Sequence, residues 1–183
     1  MLNVPSEMFA SRRDSNFYWI SNNATRGWTS LMVYSFPYTD VHTFTRNYLI
    51  AKRDSVLKLN MPGSFPDSYM MTDTMLTEYK AISTRGKYCG VLRGLWKMHG
   101  DMMGGPFVAH YRLDTTRNRV VGVEAFVYAP ETNKRNYIRR AEAALYTLRL
   151  PGEFTQAVAD PSLALKKPEK KAEDVESNTD SAK

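Results

Sequence analysis

The stretch that decides the fold runs from residue 87 to 130, "KYCGVLRGLWKMHGDMMGGPFVAHYRLDTTRNRVVGVEAFVYAP". Its side chains alternate with period two. Phe107, Ala109, Tyr111 and Leu113 share one face of a strand, while His110 and Arg112 share the other. Val121, Val123, Ala125 and Val127 line one face of the next strand. Such alternation, broken only by short turns, specifies antiparallel strands covered on at least one face. "TTRN" (115–118) makes one reversal, and Gly104-Gly105-Pro106 supplies another.

Upstream, "MMTDTMLTEYKAIST" (70–84) continues the same period and turns through Arg85-Gly86 into the strand at 87. Nearer the N-terminus, "SNFYWISNN" (15–23) and "TSLMVYSFPY" (29–38) read as a hairpin joined by the turn residues around Gly27, with Phe17 and Trp19 on one face. Between these strand groups lies a helix over 41–59, with Asp40 as its N-cap. Val41, Phe44, Tyr48, Leu49 and Val56 form its packed side, and Arg46, Lys52, Arg53 and Lys58 its solvent side. Pro62, Gly63 and Pro66 end it. A closing helix, "TNKRNYIRRAEAALYTLRL" (132–150), carries the stripe Ile138, Ala141, Leu145 and Leu148 and stops at Pro151-Gly152.

The order ββαββββα predicts an α+β domain over 1–152, an antiparallel sheet of about six strands with two long helices packed on it. Residues 153–183 form a charged tail. Its end, "KKPEKKAEDVESNTDSAK", has no large apolar residue except Val175, too little burial to offset the entropy of ordering, so disorder is expected.

Composition excludes several classes. Cys89 is the only cysteine, which rules out an intrachain disulfide, a Cys-rich zinc ribbon and a CxxC redox pair. Within "GKYCGVL" it reads as a buried, inert thiol. No apolar run approaches the roughly 20 residues needed to span a bilayer, and the first residues have no basic stretch followed by an apolar one, as a signal peptide would. The net charge is +6. The last 23 residues are neutral, leaving 20 Lys and Arg against 14 Asp and Glu in 1–160. Nucleic acid, anionic lipid or an acidic partner would all suit such an excess.

The residues with chemical potential concentrate around 93–114. His99, Asp101 and His110 are competent metal ligands, although H-x-D is a short cue and His110 lies on the next strand. Met98, Met102 and Met103 resemble soft copper(I) donors, but ten methionines are scattered through the chain, and packing of an irregular connection explains them as well. His110 and Glu124 could face each other across paired strands as an acid–base pair, and Trp96, Tyr88 and Tyr111 could wall a pocket. The Gly-Gly-Pro run is no phosphate loop, since no GK[ST] follows. "KRNYIRR", with Lys134, Arg135, Arg139 and Arg140, is the best phosphate-contacting surface, joined by Arg117 and Arg119 from the 115–118 turn. It has no aromatic platform or helix-turn-helix pattern beside it, so nucleic acid is not favoured.

Three blocks carry a resemblance: "YSFPYTDVHTFTRNYLIAKRDSVLKLNMPG", "RGLWKMHGDMMGGPFVAHYRLD" and "EAFVYAPETNKRNYIRRAEAALYTLRLP". They resemble an uncharacterised family of lipoproteins from Bacteroidetes that is built on a domain of unknown function. The resemblance spans about residues 1 to 152. It implies a cell-envelope setting, and a lipid-anchor signal and further N-terminal region that would precede a segment such as this one. The family brings no catalytic residues. The order of elements is also similar to the Mog1/PsbP-like layout, a sheet between helices, which hosts accessory and binding proteins.

These readings converge on a non-enzymatic accessory or binding domain of an envelope protein, without cofactor, that recognises a protein or other envelope component through its surface. Arg93, Trp96, His99, Asp101, His110, Arg135 and Arg139 are the expected contacts. The alternatives are a metal- or ligand-binding, hydrolase-like site in the 98–106 loop and a basic nucleic-acid-binding module.

Overall fold

The computed structural model describes residues 1–22, 24 and 27–158 of the chain. Among them, eight strands form one antiparallel sheet: β1 (Ala10–Arg13), β2 (Phe17–Ser21), β3 (Trp28–Pro37), β4 (Tyr69–Thr72), β5 (Glu78–Thr84), β6 (Lys87–His99), β7 (Gly104–Asp114) and β8 (Arg119–Tyr128). Their spatial order is β1-β2-β3-β8-β7-β6-β4, with β5 pairing the other half of the β6 edge that β4 occupies. Helix α1 spans Arg46–Asn60, α2 Arg135–Leu145 and α3 Pro151–Val158.

The period-two pattern of the deciding stretch is matched by burial on both faces. Leu31, Val108, Val123, Ala125 and Val127 pack under α2, against Ile138, Ala141, Ala144 and Leu145. Met32, Phe36, Phe107, Tyr111 and Val120 belong to the opposite face with Leu49, Ile50 and Leu57 of α1. The sheet thus lies between two helices, which is why its central strands carry apolar side chains at nearly every position. The β5–β6 hairpin turns through Arg85 and Gly86, both at positive φ (53° and 70°), the twist that two-residue hairpins favour.

Several boundaries differ from the sequence reading. The 70–84 segment is two strands, because the Asp73 carboxylate accepts from the Met75 N–H (3.1 Å) and the Thr77 hydroxyl donates to the Asp73 carbonyl (2.7 Å), closing a turn between them. With β1 at the edge, this raises the sheet from about six strands to eight. Asp40 caps a 3-10 turn over Val41–Phe44, and α1 begins only after Thr45, whose extended backbone (ψ 151°) interrupts the helix. Gly104 and Gly105 lie inside β7; the reversal is made before them, at Gly100 with φ 71°. Gly105 is needed for a different reason, since a Cβ there would collide with the Val127 carbonyl oxygen. The closing helix ends at Leu145. Pro151 starts α3, because its fixed φ and missing N–H suit a first helical position. Residues 153–158, expected in the tail, therefore belong to this helix; the remainder of the expected tail, 159–183, lies outside the described residues.

Candidate functional cleft

Helix α1 has 15 residues, about 22 Å of helix. Strand β6 has 13, about 43 Å of strand. The helix therefore cannot cover its whole sheet face, and where it ends at Asn60 a cleft of about 280 Å³ remains over the sheet, roofed by residues 61–64.

Register determines what faces this cleft. Arg12 pairs with Trp19, Trp19 with Met32, and Trp28 with Tyr128, so alternate positions of β1, β2, β3 and β8 point to the α1 side. Trp96 on β6 is opposite Gly105 on β7, on that same side. All three tryptophans of the chain, Trp19, Trp28 and Trp96, consequently line one cleft. Met61, Met70, Met98 and Met103 complete its apolar wall. Flexible thioethers suit such a lining because they adapt to whatever shape they contact.

The three indoles differ in their polar edge. Trp96 is buried and rigid: its Nε1–H donates to the Val127 carbonyl (3.2 Å), and its ring stands edge-on to Phe126 at 5.6 Å between centroids. Trp28 leans on Tyr128 at 5.6 Å. The Trp19 Nε1–H is shielded from solvent and has no acceptor among the described residues. An unsatisfied buried donor costs about 1–3 kcal/mol. At the mouth, Arg12 Nη1 donates to the Asn60 carbonyl (3.4 Å), placing a cation at the negative end of α1.

Beside the cleft lies a polar network centred on Arg53, a residue expected on the solvent side of its helix. Arg53 is fully buried. Its guanidinium donates to both carboxylate oxygens of fully buried Glu124, at 2.9 and 2.6 Å, and to the Thr72 hydroxyl at 2.7 Å. Its charged carbon sits 3.8 Å from the centre of the Phe107 ring. The Tyr34 and Tyr111 hydroxyls bond each other at 2.8 Å, and Tyr34 reaches Glu124 at 3.5 Å. Burial raises the Glu124 carboxyl above its ordinary range, with the Arg53 charge opposing, and burial likewise raises both tyrosines. The signal was present in the spacing. Position 53 falls between Leu49 and Leu57 on the buried stripe, and Glu124 shares parity with inward-facing Phe126, so each element carries one charge at a core position. The buried ion pair at its centre fastens α1 to the sheet.

The expected contact residues are dispersed. Only Trp96 lies in the cleft. His99 is exposed at the end of β6 and stacks on Tyr69 at 4.9 Å, and the Asp101 carboxylate turns back to accept from the Met102 N–H at 2.7 Å. His110 is buried on the α2 face against Tyr146, at 4.7 Å. It pairs with Val91, eight positions along β6 from His99, or roughly 26 Å. The three potential metal ligands are therefore not one site, and no group of three such ligands occurs among the described residues. His110 and Glu124 also point to opposite faces, because His110 pairs with Val123 and Glu124 with Ala109. Of the suggested aromatic wall, Trp96 and Tyr111 are buried, while Tyr88 is half exposed and bonds Tyr79.

Arg93 forms an ion pair with Glu142 of α2. Arg135 and Arg139 are exposed on α2, whereas Arg117 lies in the β7–β8 turn at the far end of β8 from the start of α2, and Arg119 bonds Asn16 and the Ser35 carbonyl. Arg140 pairs with Glu7 at 3.2 Å. The basic residues thus do not merge into one surface. Cys89 is buried, and burial raises its thiol pKa, as expected of an inert cysteine.

The chain belongs to the family described as a domain of unknown function, DUF4837, which it matches over residues 1–147, the whole fold through α2. No curated protein matches it.

Proposed function

We propose that this is a non-enzymatic binding domain that holds a small apolar ligand in the tryptophan cleft and serves as an accessory part of a cell-envelope protein. The observation that carries the reading is the convergence of all three tryptophans on one cleft. Pockets for small molecules are mostly apolar, with a few polar groups that fix orientation. The volume of about 280 Å³ accommodates on the order of nine or ten water-sized groups at roughly 30 Å³ each. The ligand is accordingly an apolar molecule of about ten heavy atoms. The envelope setting rests on the resemblance of the three sequence blocks to lipoproteins. Among the described residues, no helix is long and apolar enough to cross a membrane.

The test is a titration of the full chain with decanoate, followed by tryptophan emission. Saturable change at one ligand per chain, weakened by Trp28→Ala, is the expected result. Unsaturable or absent change would end the proposal.

A further inference from the structure

Two turns meet at one end of the cleft. The 61–68 turn is tied by the Gly63 N–H to the Ser68 carbonyl (2.8 Å), and the β6–β7 turn by the Met98 N–H to the Met103 carbonyl (2.9 Å). They are in contact: a Cβ on Gly63 would lie 2.6 Å from the Met98 methyl, and one on Gly100 would lie 3.4 Å from the Ser68 Cβ. Each turn lifts an apolar side chain into solvent, Phe65 at 60% exposure and Met102 at 100%. Both adjoin residues that line the cleft, Ser64 and Met103. Large apolar side chains at turn tips beside an apolar opening lose burial in water for no benefit to the fold.

The surroundings name the surface they suit. Lys58 lies 4.9 Å over the Tyr69 ring, which itself stacks on His99, and Arg12 stands at the cleft mouth. Aromatic rings and cations side by side, next to exposed apolar tips, are the side chains that favour the boundary between lipid headgroups and acyl chains. Acidic groups are present too, Asp67 in the first turn and Asp101 in the second, but the Asp101 carboxylate is engaged with the Met102 N–H.

We infer that this end of the molecule docks on a lipid bilayer through Phe65 and Met102, and that the ligand of the cleft is part of a lipid acyl chain taken up there. The inference rests on the cleft being a ligand site. Lys58 and Arg12 meet anionic headgroups, Phe65 and Met102 enter the acyl boundary, and the tryptophan and methionine walls receive the chain. This also gives the 98–106 loop its role, as a lipid contact made by Met102 beside the His99–Tyr69 stack.

The experiment is flotation of the full chain with vesicles of phosphatidylcholine and phosphatidylglycerol, alongside Phe65→Asp/Met102→Asp. The expected result is binding by the native chain and at least a tenfold loss in the variant, whose decanoate titration stays unchanged because neither residue lines the cleft. Native binding that the variant retains, or no native binding while decanoate still binds, would overturn the docking inference and leave the cleft reading intact. Loss of decanoate binding in the native chain would remove both.

Discussion

Replacing Glu124 by Gln removes one charge from a pair that has no access to water. Arg53 and Glu124 are both fully buried, so the guanidinium left behind could not hydrate without displacing α1 from the sheet. Removing one partner of such a pair costs about 3–5 kcal/mol. Gln keeps an acceptor near the Arg53 Nε, which places the loss near the lower end, about 3 kcal/mol; Ala adds a cavity and reaches the upper end. A domain of this size has a total stability of about 5–15 kcal/mol, so a large fraction is at stake. The change corresponds to a fall in Tm of about 6–12 °C. Removing both charges together, as Arg53→Met/Glu124→Leu, leaves no uncompensated ion and should recover to within about 1–2 kcal/mol of the native chain. Urea unfolding followed by tryptophan emission measures all variants, provided the m-value is constant. A loss under about 1 kcal/mol for Glu124→Gln, or a double variant as unstable as the summed single variants, would refute the assignment of this pair as the fastening of α1.

His110 makes stability depend on acidity. Burial, and then the Arg93 and Arg112 charges, lower its pKa to about 4, so its neutral form is the one the fold accommodates. Its contribution is therefore complete above the unfolded value near 6.5 and is lost as pH falls towards 4, by about 3 kcal/mol in all. Thermal melts between pH 7 and 4 should show this loss, and His110→Phe should flatten it; an equally steep profile in the variant would show that other groups are responsible. Gly105→Ala should cost about 2–4 kcal/mol, because the new Cβ meets the Val127 carbonyl and disturbs its bond from Trp96. Chemical denaturation showing less than about 1 kcal/mol would mean that β7 and β8 shift apart freely.

Local pattern carried the fold further than it carried the site. Alternation along β7 and β8 identified both faces correctly, because in a sheet covered on each side parity alone decides which core a side chain joins. The charge of Arg53 points to solvent, but its spacing from Leu49 and Leu57 puts it on the packed stripe of α1. The division of 70–84 into β4 and β5 depends on hydrogen bonds around Asp73 that no periodicity contains. The cleft was least legible. Trp96 is far in sequence from Trp19 and Trp28, and the three meet only because β2, β3 and β6 present the same face beyond the end of a helix shorter than the strands it covers. Trp96 is the one expected contact found here, and its partners in the cleft are Trp19 and Trp28 rather than the suggested Tyr88 and Tyr111.

The central claim is that the tryptophan cleft holds an apolar chain, and contact quenching tests it most directly. Bromine quenches indole emission only at close range, so 10-bromodecanoate and decanoate, matched in length, should bind the full chain equally while the brominated form alone extinguishes most of the emission at one equivalent. Equal emission with the two ligands would place any bound chain away from all three tryptophans and contradict the account.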